Sequence, residues 1–439
     1  MTERTLLYAK NLQLIIQKET ISSAEEHDLT KFREFHGILK ELFPNIFKVC
    51  EIKDFEGSLL LRWPGKDPSL GPVMFMNHHD VVEATGQWTH EPFSGDIAED
   101  RVWGRGTVDT KGGLWAMLQA GEELAAAGFV PQRDLYFESA CTEETTGKGA
   151  DMISRYLEEQ GIHLEMSFDE GGMIMDDPIG GADGTFAMVG MGEKGCADIK
   201  FIAKSNGGHA STPGPDTPLV RLGKFMAEIE KKDPFKKEIS PITEAMFRKL
   251  GPYMGAIGKV LGHPKLFGPL IKAVMPSVSS TAGAMLKTTL AFTMAKGSEG
   301  TNVLPQEAWV IGNMRYSHHQ GLEGSLDAIR PIADKYQIEI QVPDPGQPSG
   351  LADINHRAFA LVEEALMATR KDVDAAVPYV MTGASDSRYM DRICSDCIRF
   401  LPFKIDEQQL ASIHGLNENI FISELEPAVD FYKYLMTHL

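Results

Sequence analysis

VMFMNHHDVVEATGQW, residues 73–88, opens on an unbroken apolar run and ends that run on His78, His79 and Asp80. A short apolar run of this kind reads as a buried strand. Histidines just beyond such a strand are most often hydrogen-bonded residues at a core edge. Whether this pair instead meets a metal, and through which ring, the stretch alone leaves open. If the backbone stays extended, residues i and i+2 share a face. His78 and Asp80 then point together, and His79 points away.

Outward from this stretch, strands alternate with helices. RTLLYAKNLQLIIQKE (4–19) and LTKFREFHGILKELF (29–43) carry apolar residues at helical spacing. SLLLRW (58–63), VWGRGTV (102–108), RDLYFESAC (133–141) and LEMSFDEGG (164–172) read as strands or strand ends. Between them fall the helices GGLWAMLQAGEELAAAG (112–128), ended by Gly128, and GADMISRYLEEQG (149–161). The pattern predicts an α/β domain, a mostly parallel sheet flanked by helices.

The texture changes near Gly190. ADIKFIAKS (197–205), TTLAFTMAKG (288–297) and EAWVIGNMRY (307–316) alternate apolar with polar, as strands with one solvated face do. Helical patterns lie at 217–232 and 325–336, with a Gly/Pro-interrupted helical stretch over 240–290. We read a smaller α+β domain inserted into the first, with the Pro/Gly-rich QVPDPGQPSG (341–350) leading back. The expected division is a first catalytic segment over 1–192, the insert over 193–346 and a second catalytic segment over 347–439. GMGEKG (190–195) matches a dinucleotide-binding fingerprint in letters only, because a strand pattern rather than a helix follows it.

A chain of 439 residues exceeds one ordinary core. With 43% hydrophobic and 24% charged residues it has a globular composition, and its apolar runs fall short of a membrane span. A net charge of −19 without clustered Lys and Arg argues against nucleic acid. Five irregularly spaced cysteines, with no export signal at the N-terminus, point to a reducing, cytoplasmic setting. Cys394 and Cys397 form one C-x-x-C without the second pair of a structural zinc site, and read as incidental.

Acids and histidines gather at the C-terminal ends of the expected strands, where open α/β sheets bind ligands. His78 and Asp80 follow one, Asp109 the next, Glu143 and Glu144 a third, and Asp169 and Glu170 a fourth, while SIHGLNENI (412–420) adds His414. Singly, each has a plain explanation as a cap or loop acid. Their recurrence is harder to dismiss.

The motifs together resemble one family, the di-zinc metallopeptidases and deacylases. It includes aminoacylase, acetylornithine deacetylase, succinyl-diaminopimelate desuccinylase, carnosinase-type dipeptidases and Gly-X carboxypeptidases. HHDVV, WGRGTVDTKGG, CTEETTGKGA and FDEGG resemble its metal-binding segments in order. GGHASTPG and TNVLPQEA resemble its lid motifs, and GASDSRY and IHGLNE its C-terminal pair. WTHEPFSG (88–95) and the long helical insert lean toward the Gly-X carboxypeptidase and N-acyl-amino-acid hydrolase branch. Glu83 stands where a proline usually follows D-V-V, and Thr146 where relatives often have glycine; neither is a ligand position.

The resemblance implies a zinc-exopeptidase-like fold with a lid and dimerisation domain. It also implies two divalent metal ions per chain, zinc above all, with cobalt or manganese as substitutes such donor sets accept. Asp109 would bridge the ions, with His78 and Asp169 completing one shell and Glu144 and His414 the other. Imidazole with carboxylate suits zinc independently, and two ions about 3.5–4 Å apart can share a hydroxide and polarise a carbonyl. Glu143 would be the general base and Asp80 would accept the far N–H of His78. His209 would steady the oxyanion, from the other subunit in dimeric relatives, and Arg315 with Asn302 would grip the substrate carboxylate. The implied activity is hydrolysis of an amide bond beside a free α-carboxylate, in a small peptide or an N-acyl amino acid. The alternatives are a dedicated biosynthetic deacylase, and a metal-binding relative without catalysis, against which the presence of Glu143 speaks. Nucleic acid and membrane are not expected partners; a homodimer through the lid is.

Overall fold

The computed structural model describes residues 2–25, 28–346 and 349–439. Residues 347 and 348, in the expected linker, lie outside the described residues. A nine-stranded mixed sheet organises the chain. Its centre is parallel: Val73–Met76 runs between Leu135–Ser139 and Met166–Asp169, and Cys397–Arg399 joins the far side of Met166–Asp169. Thr185–Glu193 pairs antiparallel with Cys397–Arg399 and parallel with Ala375–Met381. The other edge, Glu51–Phe55 and Ser58–Trp63, is antiparallel. Val73 to Met76 are all fully buried, as a strand covered on both faces requires. One face packs under the helices Glu3–Gln17, Lys111–Ala126, Arg357–Thr369 and Leu425–Thr437, and Phe75 stacks between Phe137 and Phe168. Lys148–Glu159 covers part of the other face. The α/β fold class read from the sequence is the one observed.

The insert has its own four-stranded antiparallel sheet, in the order Thr289–Lys296, Glu307–Tyr316, Gly195–Lys204, Ile338–Asp344. Helices Pro218–Lys232 and Gly321–Lys335 cover it through a core that includes Phe201, Phe225 and Ile329. GMGEKG leads into a strand rather than a helix, as its sequence context predicts: Gly195 begins Gly195–Lys204. The helical stretch at 240–290 does not join that core. Met246, Phe247, Leu250, Ile271 and Met275 pack instead on Phe186, Met188 and Val377 of the nine-stranded sheet.

One expected strand is corrected. VWGRGTV is not a strand of the main sheet leading to Asp109. Only Arg101–Trp103 is extended, in a small separate sheet with Asn419–Phe421 and Ile97–Ala98. Gly104 and Gly106 take φ values of +149° and +91°, which turn the chain out of the strand. A Cβ on Gly104 would stand 2.4 Å from Ile16 Cγ2, so no larger residue fits there.

Candidate active site

The site lies beyond the C-terminal ends of the central parallel strands. After Val73–Met76 the chain continues to pair with the segment beside it: Asn77 N donates to Glu138 O (3.2 Å) and His79 N to Ala140 O (2.8 Å). That extension sends His78 and His79 to opposite sides. His78 Nε2 lies 3.0 Å from Asp109 Oδ1. His79 turns into the core, with Nδ1 2.8 Å from Ser139 Oγ and its ring stacked on Phe35 at 5.1 Å.

Asp109 meets two histidines, one per oxygen. Oδ1 faces His78, and Oδ2 lies 3.1 Å from His414 Nε2. The same His414 nitrogen is 3.0 Å from Glu144 Oε2. Donor atoms of His78, Asp109 and Glu144 all fall within 4.8 Å of one another. Asp169 is not in that group; its Oδ1 accepts from Glu170 N and its Oδ2 from Ser387 N, both at 2.8 Å.

Asp80 does more than the sequence suggested. The Nδ1 of His78 is 2.9 Å from the backbone oxygen of Asp80 and 3.4 Å from its Oδ1. The carboxylate mainly secures the next loop, accepting from Glu143 N (3.2 Å), Glu144 N (3.1 Å) and Ser22 Oγ (2.6 Å). One buried carboxylate thus ties the His78 strand end to the Glu143–Glu144 turn.

Glu418 does the same for Asp109 and was assigned no role from the sequence, although it ends the quoted IHGLNE. It is fully buried and accepts from Gly106 N, Val108 N and Asp109 N, and it pairs with Arg105 at 2.7 Å. Its partners lie some three hundred residues away in sequence, so no local pattern could reveal them. Glu138 and Asp386 are further buried acids around the site, and among the described residues Glu138 Oε1 and both Asp386 oxygens find no hydrogen-bond partner.

The electrostatics are those of crowded, desolvated carboxyls. Burial pushes Glu143 up to about 8, opposed by His78 and reinforced by Asp80, Glu144 and Asp109. Burial and neighbouring acids likewise raise Glu138, Glu170 and Asp386 well above the usual carboxylate range. Asp109 goes the other way: burial works against its charge, but hydrogen bonds from His414 and His78 hold it low. Hydrogen bonds to Asp109 and Glu144 raise His414 to about 10. So many acids in one dry place call for cations, and Glu144 Oε1 is buried with no partner of its own. An N/O donor set of this kind fits divalent metal.

The three insert residues stand apart. His209 is exposed on the short strand Gly208–His209, its Nδ1 2.7 Å from Ser211 Oγ. Asn302 is its neighbour, since Ala210 N donates to Asn302 O at 3.0 Å. Arg315 Nε donates to Asn313 Oδ1 at 3.1 Å, and its Nη1 is buried without a partner. Among the described residues no hydrogen bond or ion pair links these three to the Asp109 cluster.

Residues 74–438 match the model of peptidase family M20/M25/M40, which takes in every position of the cluster. The chain belongs to the M20 peptidase family. It is 31% identical over 434 residues to the probable carboxypeptidase S-like 2 of Dictyostelium discoideum, covering 95% of this chain and 82% of that protein. The human N-fatty-acyl-amino acid synthase/hydrolase PM20D1 is 28% identical, over 98% of this chain and 87% of its own length. Among solved structures, the M20 metallo-carboxypeptidase Sso-CP2 of Sulfolobus solfataricus superposes with a TM-score of 0.69 at 17% identity, over 99% of each chain. The protein is thus an M20-family hydrolase, a family of metallopeptidases that use divalent metal ions. No helix among the described residues is long and apolar enough to cross a membrane.

Proposed function

We propose that this M20 hydrolase cleaves an amide bond whose nitrogen belongs to an amino acid with a free α-carboxylate. Its substrate is then a short peptide cut at its C-terminal residue, a dipeptide, or an N-acyl amino acid. The relatives named as carboxypeptidases and as N-fatty-acyl-amino acid hydrolases support both forms. The observation that carries the reading is Asp109, whose two oxygens each face a different histidine, with Glu143 beside them. Asp109 would hold divalent cations together with His78 and Asp169 and with Glu144 and His414, and His78, Asp109 and Glu144 already offer donor atoms within 4.8 Å of one another. Zinc ions held there would polarise the scissile carbonyl and acidify water.

The remaining work falls to the chain. Glu143, whose ionised form two bound cations would favour against its burial, takes a proton from the attacking water and hands it to the departing nitrogen. Asp80 fixes the His78 ring and the Glu143 backbone at once. Arg315 and Asn302 bind the α-carboxylate, and His209 donates to the oxyanion, once the insert's four-stranded sheet and its two covering helices close as a lid or a second copy supplies them. Five free cysteines suit a reducing, cytoplasmic compartment.

The test is a hydrolysis screen over dipeptides and N-acyl amino acids, with and without chelator, alongside Glu143→Gln. We expect turnover that needs metal and a free carboxylate on the substrate. In the variant kcat should fall by about 10²–10⁴ while metal content per chain stays unchanged. Turnover that survives full metal removal, or a variant that hydrolyses normally, rejects this reading.

A further inference from the structure

Residues 245–298 contain seven lysines and arginines and no aspartate or glutamate, in a chain whose net charge is −19. Most of this segment is the helical stretch packed on the main sheet. Its longest helix, Pro264–Val278, is apolar on two sides. Inward, Ile271 and Met275 are buried against the cluster that includes Phe186 and Val377. Outward, Leu266, Leu270 and Val274 are 73%, 51% and 45% exposed at positions i, i+4 and i+8. Pro269 and Ala273 fill the same outer stripe, and Ile257 on the preceding helix Gly255–Leu261 is 58% exposed. An inward face already satisfied by the protein core leaves the outer stripe unexplained by folding.

Charge decides what covers it. Lys259 and Lys265 are exposed beside the stripe. Lys265 Nζ lies 3.9 Å from Glu244 Oε1, at the outer limit of an ion pair. A two-fold contact with a second copy would bring the same lysines of both chains together with no acids on this segment to pair them. An anionic lipid surface, by contrast, offers hydrocarbon to the leucines and negative headgroups to the lysines.

We propose that the outer face of Pro264–Val278 docks on membranes containing anionic lipid, with Leu266, Leu270 and Val274 in the interface and Lys259 and Lys265 at the headgroups. The lack of an apolar run long enough to span a bilayer does not bear on this, because a helix lying in the interface needs none. Since this face is fixed to the main sheet, docking would hold the whole hydrolase at the surface.

The experiment is sedimentation of the full chain with vesicles of phosphatidylcholine, alone or mixed with phosphatidylglycerol. We expect binding to the mixed vesicles, and a loss of about tenfold or more in Leu266→Asp/Leu270→Asp. Lys259→Glu/Lys265→Glu, which leaves the apolar stripe intact, should show the same preference lost. Both variants should hydrolyse a water-soluble substrate as the parent does, which certifies their folding. Absence of binding by the parent, or binding unchanged in both variants, overturns the proposal. So does a parent dimer in solution that Leu266→Asp/Leu270→Asp converts to monomer, which would assign the face to a second copy.

Discussion

The two ends of the Asp109 cluster are built differently. The His78 side chain is 2% exposed and sits where a buried strand runs out, with its second nitrogen on the Asp80 carbonyl oxygen. The His414 side chain is 53% exposed, in a loop residue at φ +57°, and its Nε2 touches only acids of the cluster itself. Among the described residues no acceptor is recorded for its Nδ1. One of the two proposed ligands, His78, is therefore fixed by the sheet before any ion arrives. The other is held by the charges around it, with His414 raised to about 10 through Asp109 and Glu144. An exposed loop side chain is less preorganised than a buried one, so occupancy of this end should be the weaker.

Replacing the two histidines in turn tests the contrast most strongly. His78→Asn should cost activity by at least about 100-fold, beyond what changes to outer partners produce, with metal content falling below one ion per chain. His414→Asn should keep close to one ion and most of the thermal stability, because the half-exposed His414 ring pairs only with Asp109 and Glu144. Metal analysis and melting of the two purified variants decide the matter. Equal losses in both would show that the ends are equivalent and that the burial difference has no bearing on affinity.

How much of this was legible in the sequence follows the same division. The His78 end was readable because strand period and burial fix which side chains share a face, and the structure does send His79 away from His78. The α/β class, with a mostly parallel sheet flanked by helices, also followed from apolar pattern. The loop carrying Asp109 was misread as a strand end, because Arg101–Trp103 looks extended in sequence while Gly104 and Gly106 redirect the chain. Glu418 was invisible for a different reason: its importance comes from three backbone amides brought to it by folding, not from its neighbours in sequence. The helical stretch at 240–290 was assigned to the insert by continuity, whereas its apolar faces match the main sheet.

A middle-sized effect should come from Asp80, which serves the buried end twice. Asp80→Asn keeps the backbone oxygen that His78 uses and retains one acceptor oxygen. It removes the charge that Glu143 N, Glu144 N and Ser22 Oγ share. We expect a loss of about 10–100-fold in activity, seen chiefly in kcat, with the ring of His78 still in place. A change confined to KM would indicate that the carboxylate shapes substrate binding rather than the Glu143 turn.

The smallest effect on the site should come from His79, the nearest neighbour in sequence to the buried ligand. Burial holds this ring neutral, and it packs among Phe32, Phe35 and His36. His79→Asn removes a stacked ring from a filled core and should lower stability by about 1–3 kcal/mol, read from denaturant unfolding. Metal content and the kcat of the folded fraction should remain near those of the parent, because the ring faces away from Asp109. If His79→Asn instead loses metal as His78→Asn does, the backbone at 77–80 does not present alternate faces in solution, and the division between a ligand side and a packing side fails at its first residue pair.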